Sequence, residues 1–411
     1  MPPWAPNVHE KRGAHGGTPT TLMKAAKKYG QALGLTLLVL CLLAAAMSAF
    51  AQGNGTAPRE RPAGKSVSLS QPLTVGWRYD SSSMINLTPA FDGERVYVPL
   101  AGGQLVSLKA EDGQLNWRSE MGGELSASPV ADGHGVYVAS ETGKPEAGER
   151  RATGALRALG REGGVTLWMR TLEVPLRGAL TIANGKIFGG GADGNIYAFD
   201  SKTGAARWSY RFAAPVIGQP TVAGSHLYVG SEDGYLLAFS ESSGRLLWSF
   251  RTRGPVRGPV ANGSDVVYFG SGDGYVYAVN ATNGRLIWRN RTGAGVQAVT
   301  KVEDGLLVAS LDNFVYKFSL AGTRLWKRQM PGRISSQPLM ADAEALFMPL
   351  SSSAGVVLEM RDGRQVNSLP VGAEITSSAS PIAVGETILL TTERGLLAFT
   401  QPRETPRALK Q

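Results

Sequence analysis

The sequence predicts an all-β chain, an eight-bladed β-propeller of four-stranded antiparallel blades closed by pairing an N-terminal strand with the C-terminal blade. Three observations carry this. Seven of the eight tryptophans (Trp77, Trp117, Trp168, Trp208, Trp248, Trp288 and Trp326) follow one another at 40, 51, 40, 40, 40 and 38 residues. The last six each stand four residues after a glycine, and an eighth copy, beginning at Gly363, carries Asn367 in the tryptophan position. The C-terminal copy stops one strand short, and the N-terminus supplies an isolated strand of the missing kind. Fixed-period repetition overrides local signals, and about 40 residues holding four strands is one propeller blade. The 411 residues are therefore read as one large β domain rather than the two or three that length alone allows.

In chain order, residues 1–51 read as an export signal. Lys24, Lys27 and Lys28 form a basic start, residues 31–51 are uncharged and largely apolar, and Ala49-Phe50-Ala51 is a small-residue cleavage site, with cleavage expected after Ala51. The 22 residues before Met23 lack an apolar period, so Met23 is the expected true start. An uncleaved segment of this length would sit at the lower limit for a membrane anchor, and that alternative stays open. Cys41 follows Leu40 and precedes a further apolar run, which argues against a lipid anchor there. Residues 52–70 are expected to form a loose tether, residues 71–400 the propeller, and the polar, proline-containing residues 401–411 a disordered tail.

Within the propeller, the first strand is Leu73-Thr-Val-Gly-Trp77-Arg-Tyr. The repeat is plainest in residues 217–248 and 257–288, where four short strands are expected. The first follows a proline-containing stretch, the second covers 227–229, the third covers 235–239, and the fourth ends at Trp248. Asp233-Gly234 and Asp273-Gly274 suit the tight hairpin between second and third strands, because that turn needs positive φ. Ser243-Gly244 and Asn283-Gly284 turn the third strand into the fourth. The 51-residue spacing reports an insertion of about 11 residues within 141–156, a loop that carries Arg150 and Arg151. At the other end, residues 375–399 supply three strands and stop. Joining them to the Trp77 strand completes the eighth blade and removes two exposed sheet edges. The Asn367 position, without its indole, marks residues 363–375 as the expected weakest blade contact.

Composition excludes several chemistries. Cys41 is the only cysteine, so after residue 51 there is no disulfide, thiolate ligand or cysteine nucleophile. His134 and His226 sit at turn-like positions with no second ligand at metal spacing. Of the formal net charge of +9, residues 1–51 contribute +4, and the rest is scattered, which gives no support to nucleic-acid binding. No catalytic residue, cofactor or metal is expected.

The repeats Gly194-Asn-Ile-Tyr-Ala-Phe-Asp-Ser-Lys-Thr-Gly204-Ala-Ala-Arg-Trp208 and Gly274-Tyr-Val-Tyr-Ala-Val-Asn-Ala-Thr-Asn-Gly284-Arg-Leu-Ile-Trp288 resemble the pyrroloquinoline-quinone-type (PQQ-like) propeller repeat family. The match covers about residues 72–400. The resemblance implies that all seven repeat tryptophans dock between blades. In size, export and bare-propeller layout the chain is similar to the BamB-like group of periplasmic scaffold subunits in outer-membrane protein assembly. That similarity implies an extracytoplasmic, non-catalytic, monomeric protein-binding propeller whose partner is an outer-membrane β-barrel assembly protein. It would meet a membrane only through that partner or an uncleaved signal. The same repeat builds quinoprotein dehydrogenases, which use a vicinal cysteine pair, an Asp base and a carboxylate-bound Ca²⁺. This chain has no such pair and is shorter, but a quinone-binding oxidoreductase or sensor remains the alternative, as does a peptide- or carbohydrate-binding propeller.

In a propeller, the lead-in to each first strand and the hairpin between second and third strands open on one face. Repeat alignment places Asn86, Ser126, Arg177, Ile217, Arg257, Val296, Ser336 and Ser378 at equivalent lead-in positions around the channel mouth. Arg177, Ile217 and Arg257, with Arg150 and Arg151 of the long loop, are the candidate partner-binding residues. The two lead-in arginines are expected to make the mouth positive.

Overall fold

The computed structural model describes residues 68–142 and 153–402. Their strands form eight sheets. Blades 1 to 7 cover residues 90–120, 124–172, 176–211, 221–251, 261–291, 296–329 and 339–370. Blade 8 combines residues 382–400 with Thr74–Asp80 as its fourth strand. The export signal, the start at Met23, Cys41 and the tail from residue 403 lie outside the described residues.

The local reasons for the repeat are visible in blade 3. Asp200 ends the third strand, and its carboxylate accepts from Lys202 N at 3.1 Å and Thr203 N at 2.9 Å, which bends the chain back. Asn280 does the same in blade 5 through Thr282 N and Asn283 N. The glycine that completes this turn has φ between 65° and 93° in blades 1 to 7, a region closed to most side chains. One residue is then bulged out just before the tryptophan: Ala198 faces Trp208 but Phe199 faces Ala206. The same shift recurs in blade 8 between Val75 and Trp77, although its third and fourth strands come from opposite ends of the chain. The Trp77 strand is thus a true repeat member placed at the wrong end of the sequence. The fourth strands run through the tryptophan, as in Leu246–Arg251, rather than ending on it as expected, because pairing with Tyr235–Ser240 continues to Arg251.

The tryptophans tie the ring. Each indole Nε1 donates to a backbone carbonyl of the next blade, from Trp77 to Ala110 O through Trp326 to Met360 O, at 2.7–3.2 Å. Each ring also lies on the turn glycine of that next blade, where an added Cβ would meet it at 2.4–2.9 Å. Second and third strands are almost wholly buried, and the apolar clusters join neighbouring blades, as where Trp248 and Tyr228 of blade 4 pack with Val267 and Phe269 of blade 5. Blade 6 carries a lysine, Lys317, where Ala198, Ala238 and Ala278 stand elsewhere. Its stem is buried and its Nζ reaches Asp304 at 2.7 Å.

The seam expected to be weakest is filled from an unexpected place. Leu69, which the sequence reading put in the tether, is fully buried with Leu346, Val357, Leu369, Ile388 and Phe399 of blades 7 and 8. Asn367 Nδ2 donates to Leu69 O at 2.8 Å and Gln71 O at 3.0 Å, and Leu69 N donates to Glu344. Blade 8 has no covalent turn between its third and fourth strands, so there is no turn glycine for an indole to cover. The segment leading into Thr74 takes the turn's place, and an amide replaces the indole.

Candidate functional site at the channel mouth

The lead-ins converge on the channel axis, and strand register fixes which positions are equivalent. Thr181 faces Phe188, Thr221 faces Tyr228 and Leu339 faces Leu346, so the positions four residues earlier are Arg177, Ile217 and Ser335. Ser335, not Ser336, is therefore the blade 7 counterpart, and the sequence alignment was one residue off there. Lead-ins also approach one another closely. Gly178 has φ +79°, and a Cβ there would lie 2.0 Å from Ile217 O, so only glycine allows blades 3 and 4 this contact.

Around the axis lies a cup of about 240 Å³ whose walls include Asn86, Ile217, Arg257, Ser335, Ser336 and Ser378. Its floor is a bond across the channel, Gln337 Nε2 donating to Gln219 Oε1 at 2.9 Å, from blade 7 to blade 4. Both glutamines also line a cavity of about 490 Å³ on the far side, with Thr181, Thr221, Thr300 and Lys301. The pair divides the channel in two.

The structure brings Ile217 and Arg257 together in the cup and sets Arg177 elsewhere. Arg177 lines a separate groove of about 680 Å³ with Glu173, Pro175, Asp193, Asn195, Arg211 and Pro215. Ser126 and Val296 are buried. Arg150 and Arg151 lie outside the described residues, but the base of their loop is a continuation of the hairpin, with Thr142 N donating to Thr153 O at 3.0 Å. The expected positive mouth is corrected by two ion pairs. Arg257 makes a two-pronged contact with Glu232 at 2.8 and 2.7 Å, which raises its pKa further above the ordinary arginine value, and Glu232 belongs to the preceding blade's hairpin. Arg177 Nη2 lies 2.5 Å from Glu141 Oε2, an ion pair by distance whose angles miss hydrogen-bond geometry. The Arg177 and Arg257 side chains stay 40% and 45% exposed, so each is oriented by a carboxylate and still reaches solvent.

What sequence reasoning missed is the inner ring, two residues further on: Thr88, Ser128, Gln219, Gln337 and Ser380. The signal was there, since each of these precedes a proline (Thr88-Pro89, Ser128-Pro129, Gln219-Pro220, Gln337-Pro338, Ser380-Pro381). Proline holds the preceding residue extended and removes one backbone donor at the start of the innermost strand.

A quinone enzyme of this repeat type would need a carboxylate base and carboxylate oxygens for Ca²⁺. Among the described residues no Asp or Glu lines the cup, and the ionised residue there, Arg257, is a cation already paired, so this donor set does not fit that cofactor. Among the described residues no three His, Cys, Asp or Glu side chains gather to hold a metal. His226 instead stacks on Tyr228, with ring centroids 5.8 Å apart.

Comparison with solved structures finds the same fold. BamB from Moraxella catarrhalis is 22% identical over 67% of this chain and 86% of that one, with a TM-score of 0.58. The computationally designed Ika8 protein is 14% identical, covering 80% and 99%, with a TM-score of 0.67. Quinohemoprotein alcohol dehydrogenase from Comamonas testosteroni is 12% identical, covering 82% and 78%, with a TM-score of 0.65. No curated protein sequence matches. The sequence model of the family described as outer membrane protein assembly factor BamB matches residues 65–149, 152–259 and 236–410. With that match running through every blade of a PQQ-type propeller, this chain belongs to the BamB family of outer membrane protein assembly factors.

Proposed function

We propose that the chain is an extracytoplasmic, non-catalytic scaffold that binds a protein partner of outer-membrane β-barrel assembly through its mouth face. The observation that carries this reading is the family match along the whole propeller. The site chemistry supports it. Arg177 and Arg257 are each held in one orientation by a carboxylate, next to Ile217 and a proline-walled groove. Pre-oriented arginines beside apolar surface are the usual anchors of protein interfaces. A partner would pay little ordering cost to meet them.

The test is purification of the protein from its native envelope, wild type beside an Arg177→Glu plus Arg257→Glu variant, with partners identified by mass spectrometry and the samples scanned for quinone absorbance. The wild type is expected to bring down an outer-membrane β-barrel assembly protein. The variant is expected to lose it while keeping a cooperative thermal transition, lowered only slightly by the loss of two exposed ion pairs. Equal recovery with both proteins would remove these arginines from the interface. Quinone absorbance without a β-barrel partner would overturn the scaffold reading in favour of an oxidoreductase or sensor.

A further inference from the structure

We propose that the cup above the Gln219–Gln337 bond is a binding site for a carboxylate group, held by hydroxyl donors on four consecutive blades. The wall from blade 7 to blade 2 is a relay. Gln337 N donates to Ser380 Oγ at 3.1 Å, Ser380 N donates to Thr88 Oγ1 at 3.0 Å, and Thr88 N donates to Ser128 Oγ at 3.1 Å. Each of these hydroxyls thus accepts a backbone N–H from the blade before it. Its own proton bonds no described residue, and all three residues line the cup. Beside them Ser336, 5% exposed, has an Oγ with no partner, and so does Ser335. A hydroxyl that already accepts is left as a donor. The wall therefore offers several O–H donors and calls for a ligand rich in acceptors.

Charge selects among such ligands. Among the described residues no carboxylate lines the cup, and the rim carries Arg257, paired with Glu232 and still partly exposed. Hydrogen bonds to an ionised acceptor are about twice as strong as neutral ones, so a carboxylate gains more here than water or an amide carbonyl. Opposite the hydroxyls the wall is apolar, formed by Ala179, Ile217 and Pro259, which suits the short hydrocarbon part of the same ligand. The Gln219–Gln337 bond crosses the floor, and about 240 Å³ admits a small organic acid or the last residues of a chain. With so few ligand atoms, affinity belongs in the millimolar range.

The experiment is a titration of the full chain, followed by NMR, with sodium acetate against sodium chloride at equal ionic strength, then with triglycine, triglycinamide and methyl glucoside. Saturable acetate binding is expected. Triglycine competing while triglycinamide does not would identify a chain terminus as a second source of the carboxylate; acetate binding without triglycine competition restricts the site to small acids and leaves the proposal standing. Thr88→Val with Ser128→Ala and Ser380→Ala should weaken acetate at least about tenfold. Thr88→Ser with Ser128→Thr and Ser380→Thr, which keep all three hydroxyls, should retain it. Gln219→Glu leaves the relay intact but puts a negative charge on the floor, and it should abolish acetate binding even if the triple variant does not fold. No saturable acetate binding to wild type, tighter binding of methyl glucoside than of acetate, or acetate binding unchanged by Gln219→Glu would overturn the proposal.

Discussion

The tryptophan and the glycine four residues before the next one act as one device, split between neighbouring blades. The indole needs a flat floor and a carbonyl, and a turn with positive φ supplies both at once, because it exposes the carbonyl and excludes a Cβ. Trp248, 8% exposed, bonds Ala281 O at 2.8 Å and covers Gly284. Replacing it with alanine is expected to cost about 3–5 kcal/mol in urea unfolding. A loss under about 1 kcal/mol would show that the indoles are not the blade anchors. The turns carry a second, electrostatic contribution. Asp200 has its carboxyl held down to about 2, first by the Arg207 guanidinium at 2.5 Å and then by Thr203. Its folded pKa lies below the unfolded value of about 3.9. The stability it adds is therefore complete above about pH 4 and is lost as pH falls towards 2. The stability gap between wild type and Asp200→Asn should close over that interval, and a gap of the same size at pH 7 and pH 2 would show that ionisation plays no part.

At the scale of the strand, the outer edges decide whether the protein stays single. Each fourth strand pairs on one side only, and a free edge invites another chain. In five blades a position flanking the tryptophan carries an arginine or lysine (Arg78, Arg118, Arg207, Arg289 and Lys327), and blades 4 and 7 carry one three residues before the site (Arg245 and Arg364). Blade 2 has none. Val165, Leu167 and Met169 are 69%, 59% and 53% exposed in one row, and nearby Arg170 turns away to bond Gly204 O. Met169→Lys should lower concentration-dependent light scattering and leave stability within about 0.5 kcal/mol, since nothing buried changes. Unchanged scattering would mean that this edge is not sticky. The seam element behaves differently. Leu69 is a single side chain substituting for a missing turn, and Leu69→Ala should cost about 2–5 kcal/mol, measured by urea unfolding. A negligible loss would show that pairing of Thr74–Asp80 with Gly395–Thr400 alone closes the ring.

At the scale of the whole molecule, eight copies of one unit make a ring, and several departures from the repeat lie where function can use them. The base of the long loop, the arginine pairs and the hydroxyl relay occupy the mouth face or the channel. A periodic sequence places eight equivalent lead-ins around one axis, and differences among those eight residues, not the repeat itself, give the face its chemistry.

The repeat by itself determined the fold, the number of blades and the closure. Period, turn chemistry and a displaced strand are all local or strictly periodic properties, and closing the ring pairs the strand left over at one end of the repeat array with the incomplete blade at the other. Tertiary structure alone decided the rest. Glu232 and Glu141 neutralise Arg257 and Arg177 from the preceding blade, Leu69 crosses to the far end of the chain, and Gln219 meets Gln337 across the channel 118 residues away. Those contacts join positions outside the period, where geometry of the closed ring, rather than sequence distance, sets who meets whom.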